Sequence, residues 1–130
     1  MERNTHQKQT VLNVLKSLRG RHPTADTIYE HVSQIIPTIS RATVFRILNQ
    51  FAEQGTIAQL HVPESADRYD DWLAPHFHLL CSSCKRVVDL TDFHFDLGKF
   101  QLPQDDVAGC RITGVELIFL GVCPECAGKQ

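Results

Sequence analysis

Apolar residues recur at helical spacing through the first half of the chain and gather into strand-like runs in the second. Val11, Val14, Leu15 and Leu18 follow the i, i+3, i+4, i+7 pattern, which predicts an amphipathic helix ended by Arg19-Gly20-Arg21. Thr24 has the chemistry of an N-cap. Ala25, Ile28, Val32 and Ile35 then predict the apolar face of a second helix, stopped by Pro37. Ser40 caps a third, in which Val44, Ile47, Leu48 and Phe51 point inward and Gly55 closes the end. Residues 56–62 and 67–70 read as strands around the turn Pro63-Glu64-Ser65-Ala66. Three short helices followed by a hairpin predict a winged helix-turn-helix domain over residues 1–70, with a hinge near 63–75.

Downstream of Pro75 the period changes. Residues 76–80 and 86–90 predict two strands, and the long apolar run from Ile112 to Val122 predicts a central strand. Residues 92–104 fit a short helix, weakened by Gly98 and Pro103. The second half therefore reads as a small α/β domain over 76–130, and the whole chain as α+β.

With its apolar stripe turned inward, the third predicted helix presents Ala42, Phe45, Arg46 and Asn49 outward. Arg and Asn can bond base edges in a major groove, and a phenyl ring can lie on thymine methyls. The bland alternative is a solvated face carrying one stray aromatic.

Charge sharpens this division. Residues 1–60 carry a net +3 and residues 61–130 a net −5, within an overall charge of −2. A basic half suits a polyanion such as double-stranded DNA and an acidic half suits cations. The hydrophobic fraction of 42% is ordinary for a globular protein, and no apolar run approaches a membrane span. The N-terminal residues lack the apolar core of a signal peptide, so a cytoplasmic protein without a membrane partner is expected.

Four of the five cysteines form two pairs, Cys81-x-x-Cys84 and Cys123-x-x-Cys126. In a reducing compartment such pairs predict a closed, tetrahedral, structural Zn(2+) site. Cys110 stands alone and reads as a small core residue. His76, His78 and Asp89 are harder donors, with His22 and Asp70 further off. On a strand His76 and His78 share a face. Nitrogen with carboxylate suits Fe(2+), Mn(2+) or Zn(2+). A nucleoside-deaminase-like zinc enzyme is disfavoured, because no glutamate adjoins the histidines and the paired cysteines fill one closed site. A zinc-ribbon DNA-binding module without a sensing role is a further alternative.

These residues, in this order, resemble the ferric uptake regulator (Fur) family of metalloregulators along nearly the whole chain. The marks are Arg3-x-Thr5-x-Gln7-Lys8, His22-Pro23-Thr24-Ala25-Asp26-x-Ile28-Tyr29, Ser40-x-Ala42-Thr43-Val44-Phe45 and Arg68-Tyr69-Asp70. His76-Phe77-His78-x-x-Cys81-x-x-Cys84 and Cys123-x-x-Cys126 complete them. The resemblance implies a homodimeric repressor of operator DNA, with a C-terminal dimerisation domain and a regulatory Fe(2+) or Mn(2+) on His22, Asp70, His76, His78 and Asp89. Asp at position 89, where iron-responsive members usually carry Glu, is similar to the peroxide-responsive (PerR) branch. That branch implies oxidation of His22 or His76 at iron and loss of DNA. A repressor responding to iron or manganese level alone is the alternative within the family. Phe45 stands where members usually carry Tyr. Pro75, Phe77 and Val115 stand where iron-responsive members often place ligands of a further metal site, so no third site is expected.

Overall fold

The computed structural model describes residues 2–73, 76–91, 95–96, 107–113 and 115–128, with the side chains of Glu2 and Arg3 excepted. The chain divides into two compact units, Met1–Pro75 and His76–Gln130. No helix among the described residues is long and apolar enough to cross a membrane.

The first unit is a winged helix-turn-helix. Helix α1 runs Glu2–Ser17, α2 Ala25–Ile35 and α3 Arg41–Glu53; strands β1 (Ala58–Leu60) and β2 (Arg68–Asp70) form the antiparallel wing, with Gln59 opposite Tyr69. Each helix boundary has a local cause. The Thr24 hydroxyl accepts the amide of Thr27 at 3.2 Å, and the Ser40 hydroxyl accepts that of Thr43 at 3.1 Å. Both satisfy amides that a helix start leaves orphaned. At the end of α3, Gly55 adopts φ +75. Its amide donates to Ala52 and that of Thr56 donates to Phe51, the paired bonds of a Schellman stop.

Val11, Leu15, Ile28, Val32, Val44, Ile47 and Leu48 are buried in one core with Tyr69 of the wing. Fully burying each large aliphatic side chain contributes about 1.5–3 kcal/mol. The predicted face of α2 needs one correction: Ile35 is 58% exposed. The amide of Ile36 bonds the carbonyl of Val32, so the 28-32 stripe continues to Ile36, which packs on the core, and then to the buried Ile39.

The second unit holds a three-stranded sheet in the order β4-β3-β5. Strand β3 (Phe77–Cys81) pairs antiparallel with β4 (Val87–Leu90) and parallel with β5 (Phe119–Gly121). Helix α4 (Pro124–Ala127) follows. Phe77, Phe95 and Phe119 meet edge-on, with ring centroids 5.1–5.9 Å apart. Gly121 admits the close packing of Leu79, whose Cδ1 would lie 3.1 Å from any added Cβ.

Two expectations are corrected here. Among the described residues, the strand expected from Ile112 to Val122 shortens to Phe119–Gly121, which pairs with β3. Ile112, Val115 and Leu117 are exposed, so the apolar run does not mark burial within the chain. Cys110 is exposed rather than core. Its backbone exchanges two 2.8 Å hydrogen bonds with Val107 across a turn in which Ala108 and Gly109 both have positive φ, which holds it at the surface. The helix expected over 92–104 lies outside the described residues, apart from Phe95 and Asp96.

Candidate metal centres and nucleic-acid interface

Four sulfurs converge in the second unit. Strand β3 ends at Cys81, and the chain turns back through Lys85, at φ +66, whose amide bonds the Cys81 carbonyl at 2.9 Å. This knuckle brings the amide of Cys84 to 3.5 Å from the Cys81 sulfur. Parallel pairing of β5 with β3 delivers Cys123 to the same place, where its amide lies 3.4 Å from the Cys81 sulfur. Pro124 then starts α4, one turn of which carries Cys126 inward. All four Sγ atoms lie within 4.8 Å of one another.

The spacing fits a tetrahedral ion. Four thiolates at about 2.3 Å from a zinc ion stand about 3.8 Å apart, and Cys84 Sγ to Cys123 Sγ is 3.8 Å. The amides of Cys84 and Cys123 pull the Cys81 thiol down to about 6, whereas proton sharing with Cys123 and burial push Cys126 up to about 12. A thiolate among crowded thiols is an arrangement that a dication completes. Arg86 adds positive charge at the rim, with Nη2 3.5 Å from Cys123 Sγ and Nη1 3.4 Å from Glu125.

Harder donors gather where β3 pairs with β4. Asp89 lies directly opposite His78 in the β3–β4 register. The two imidazoles stand 4.3 Å apart by ring centroids. Asp89 Oδ1 is 2.9 Å from His76 Nε2 and 3.4 Å from His78 Nε2. Cross-strand pairing and the two-residue strand period thus bring three donors to one face.

The first unit assembles its own pair. His22 is buried at φ +51, and its Nε2 lies 3.6 Å from Asp70 Oδ2. Asp70 Oδ1 accepts the Trp72 amide, while Oδ2 is buried without a hydrogen bond among the described residues. A buried carboxylate oxygen left in that condition is costly unless a cation answers it. The donor chemistry of both groups therefore fits a divalent metal ion.

Two supporting residues are not evident in the sequence. Arg19 forks onto Asp71, with Nε 2.8 Å from Oδ1 and Nη2 2.7 Å from Oδ2. The guanidinium holds the Asp71 carboxyl below the ordinary carboxylate range. The partners are 52 positions apart, so only the fold reveals them.

On α3, Ala42, Phe45, Arg46 and Asn49 are exposed while Val44, Ile47 and Leu48 are fully buried. Arg41 pairs with Asp26 and lies over the Tyr29 ring at 5.2 Å, tying α3 to α2. Phe45 borders a cavity of about 240 Å³ lined by Thr24, Ala25, Asp26, Ala66, Asp67 and Tyr69.

A winged helix that exposes Phe45, Arg46 and Asn49 on α3, joined to a unit bearing a thiol cluster and a histidine–carboxylate cluster, defines a class: metal-responsive DNA-binding regulators. The ferric uptake regulator family model matches residues 2–118. The chain is 33% identical over 129 residues to the peroxide operon regulator of Bacillus subtilis strain 168, covering 98% of this chain and 86% of that protein. It is 34% identical over 125 residues to the peroxide-responsive repressor PerR of Staphylococcus epidermidis, covering 95% and 81%. The crystal structure of the Campylobacter jejuni peroxide stress regulator superposes with a TM-score of 0.70 at 28% identity, over 95% of this chain and 91% of that one. The chain belongs to the ferric uptake regulator family.

Proposed function

We propose that this protein is a homodimeric, cytoplasmic repressor that reads double-stranded operator DNA through α3 and leaves it when hydrogen peroxide oxidises a metal-bound histidine. The observation that carries this function is the donor set. Asp89 stands between His76 and His78 on one face of the sheet, and His22 stands with Asp70 in the DNA-reading unit. The names borne by the relatives in Bacillus and Staphylococcus support the same signal.

The four cysteines hold a structural zinc ion that keeps β5 and α4 on β3. His22, Asp70, His76, His78 and Asp89 share one Fe(2+) or Mn(2+). Fe(2+), when bound, supplies the reductive activation of peroxide that Mn(2+) supplies far more slowly. The donors come from both units, so occupancy favours whichever arrangement of the units lets all five reach one ion. An ion shifts an equilibrium only through such differential affinity. Driving the units from 1:99 to 99:1 takes about 10⁴-fold preference, about 5.5 kcal/mol. Oxygen added to the imidazole of His22 or His76 weakens that ring as a donor and removes part of the preference. Arg46, Asn49 and Phe45 then lose their registered approach to base edges; Ala42 allows close approach of the helix to the groove.

Operator binding by the zinc-loaded protein, measured with added Mn(2+) and with a chelator selective for it, tests the metal dependence. Mn(2+) is expected to tighten wild-type binding, and His78→Ala to abolish that response while zinc content stays at one per chain. Equal, chelator-insensitive binding by both proteins would point instead to a zinc-ribbon module with no sensor.

A further inference from the structure

We infer that Arg19, through its fork on Asp71, is a positioning residue that holds His22 and Asp70 in metal-binding register. This rests on the assignment of His22 and Asp70 as donors. Arg19 lies three residues before His22, at the exit of α1; Asp71 directly follows Asp70, at the end of β2. The fork therefore joins the two chain segments that carry the donors.

The loop it fastens is not one the backbone favours by itself. Gly20 adopts φ +87 and His22 φ +51, the latter a left-handed conformation for a residue with a Cβ. Such a conformation persists only when its surroundings fix it. On the C-terminal side of His22 the loop is fixed by the main chain: the amide of Tyr69 donates to the Pro23 carbonyl at 3.0 Å, and Thr24 bridges Arg68. Arg68 Nη1 adds a contact to the His22 carbonyl at 3.3 Å. On the N-terminal side the Arg19–Asp71 fork ties the loop to the same strand. With both ends held, the His22 ring is delivered to the buried carboxylate of Asp70.

The fork also separates the duties of two adjacent carboxylates. Asp71 is 4% exposed and answered by a cation, whereas Asp70 Oδ2 accepts no hydrogen bond among the described residues. The charge offered to a metal is then that of Asp70 alone. Lysine cannot replace Arg19 fully, because a point charge does not fix a planar, two-bonded geometry.

The test uses the zinc-loaded full chain and Mn(2+) as probe. Three quantities are measured: the Mn(2+) dissociation constant by calorimetry, the thermal midpoint without Mn(2+), and operator affinity at saturating Mn(2+). R19Q is expected to weaken Mn(2+) binding by about tenfold or more, the usual loss when a residue orienting a metal donor is removed. R19K is expected to fall between R19Q and wild type. The double variant R19Q/D71N removes the buried charge together with its partner, so it stays folded, and is expected to show the same loss. Operator affinity at saturating Mn(2+) is expected to be unchanged in all three. A merely structural role would instead lower the thermal midpoint and leave the Mn(2+) constant of the folded protein untouched, which overturns the inference. If H22A weakens Mn(2+) binding and R19Q/D71N does not, the fork is no positioning device. If H22A binds Mn(2+) as wild type does, the donor assignment fails, and the inference with it.

Discussion

Replacing Cys81 with serine is expected to unfold the second unit and spare the first. Cys81 is fully buried, and its sulfur receives the amides of both Cys84 and Cys123, so it stands at the centre of the thiol cluster. The magnitude follows from what else holds that unit. Its strands among the described residues are five, four and three residues long. Among the described residues, the side chains it fully buries are Cys81, Val87 and Cys123, two of them thiols. Burying Val87 contributes about 1.5–3 kcal/mol. A structural zinc site contributes about 10–16 kcal/mol in small metal-dependent domains. Among the described residues, a bound metal therefore outweighs the burial of Val87 by several fold, and losing one of four ligands is expected to remove the larger share. Hydrogen exchange followed by mass spectrometry on the full chain reads the outcome. Amides of residues 77–90 and 119–127 are expected to lose protection in Cys81→Ser, with α1 to α3 and the wing still protected and zinc content near zero. A zinc-free Cys81→Ser protein with wild-type protection across β3, β4 and β5 would show that the second unit folds without the metal.

Ser40→Ala removes the N-cap of α3 and is expected to cost about 1 kcal/mol, a fall of about 4 °C in the melting of the first unit by calorimetry. Arg46→Ala is expected to weaken operator binding by about 1–3 kcal/mol in fluorescence anisotropy; equal losses on operator and random DNA would make Arg46 a phosphate contact. Asp89→Glu pushes a carboxylate about 1.5 Å further toward His76 and His78, which now lie 2.9 and 3.4 Å from Asp89 Oδ1. It is expected to retain Mn(2+)-dependent operator binding and to slow the peroxide-driven release of the iron form.

Helix periodicity and caps made most of the first unit legible, because its contacts are local. Thr24, Ser40 and Gly55 each act within a few residues of the helix they bound, and the sequence shows that spacing directly. Ile35 misled because the 3.6-residue period leaves i+3 and i+4 equally open until the chain turns after the helix. In the second unit, long-range pairing decides, and local patterns mislead. The apolar run at 112–122 reads as buried, yet among its described residues Phe119–Gly121 is strand and several are exposed. Cys110 looked like a core residue, but a tight turn keeps it outside. The paired cysteines were legible because a metal knuckle imposes its own short spacing. The Arg19–Asp71 fork was not, because two common residue types far apart in sequence carry no mark until β2 folds back on the loop after α1.

Peroxide sensing separates this reading from a repressor of metal level, and a single experiment distinguishes the two. The zinc-loaded protein is charged anaerobically with Fe(2+) or with Mn(2+), bound to operator DNA, and given a brief pulse of hydrogen peroxide. Operator binding and peptide mass are then read on the same samples. The expected result is that only the iron form leaves the DNA, with one oxygen added to His22 or His76. Retention of DNA by both forms, with those histidines unmodified, would contradict the claim and leave a repressor that responds to metal level alone.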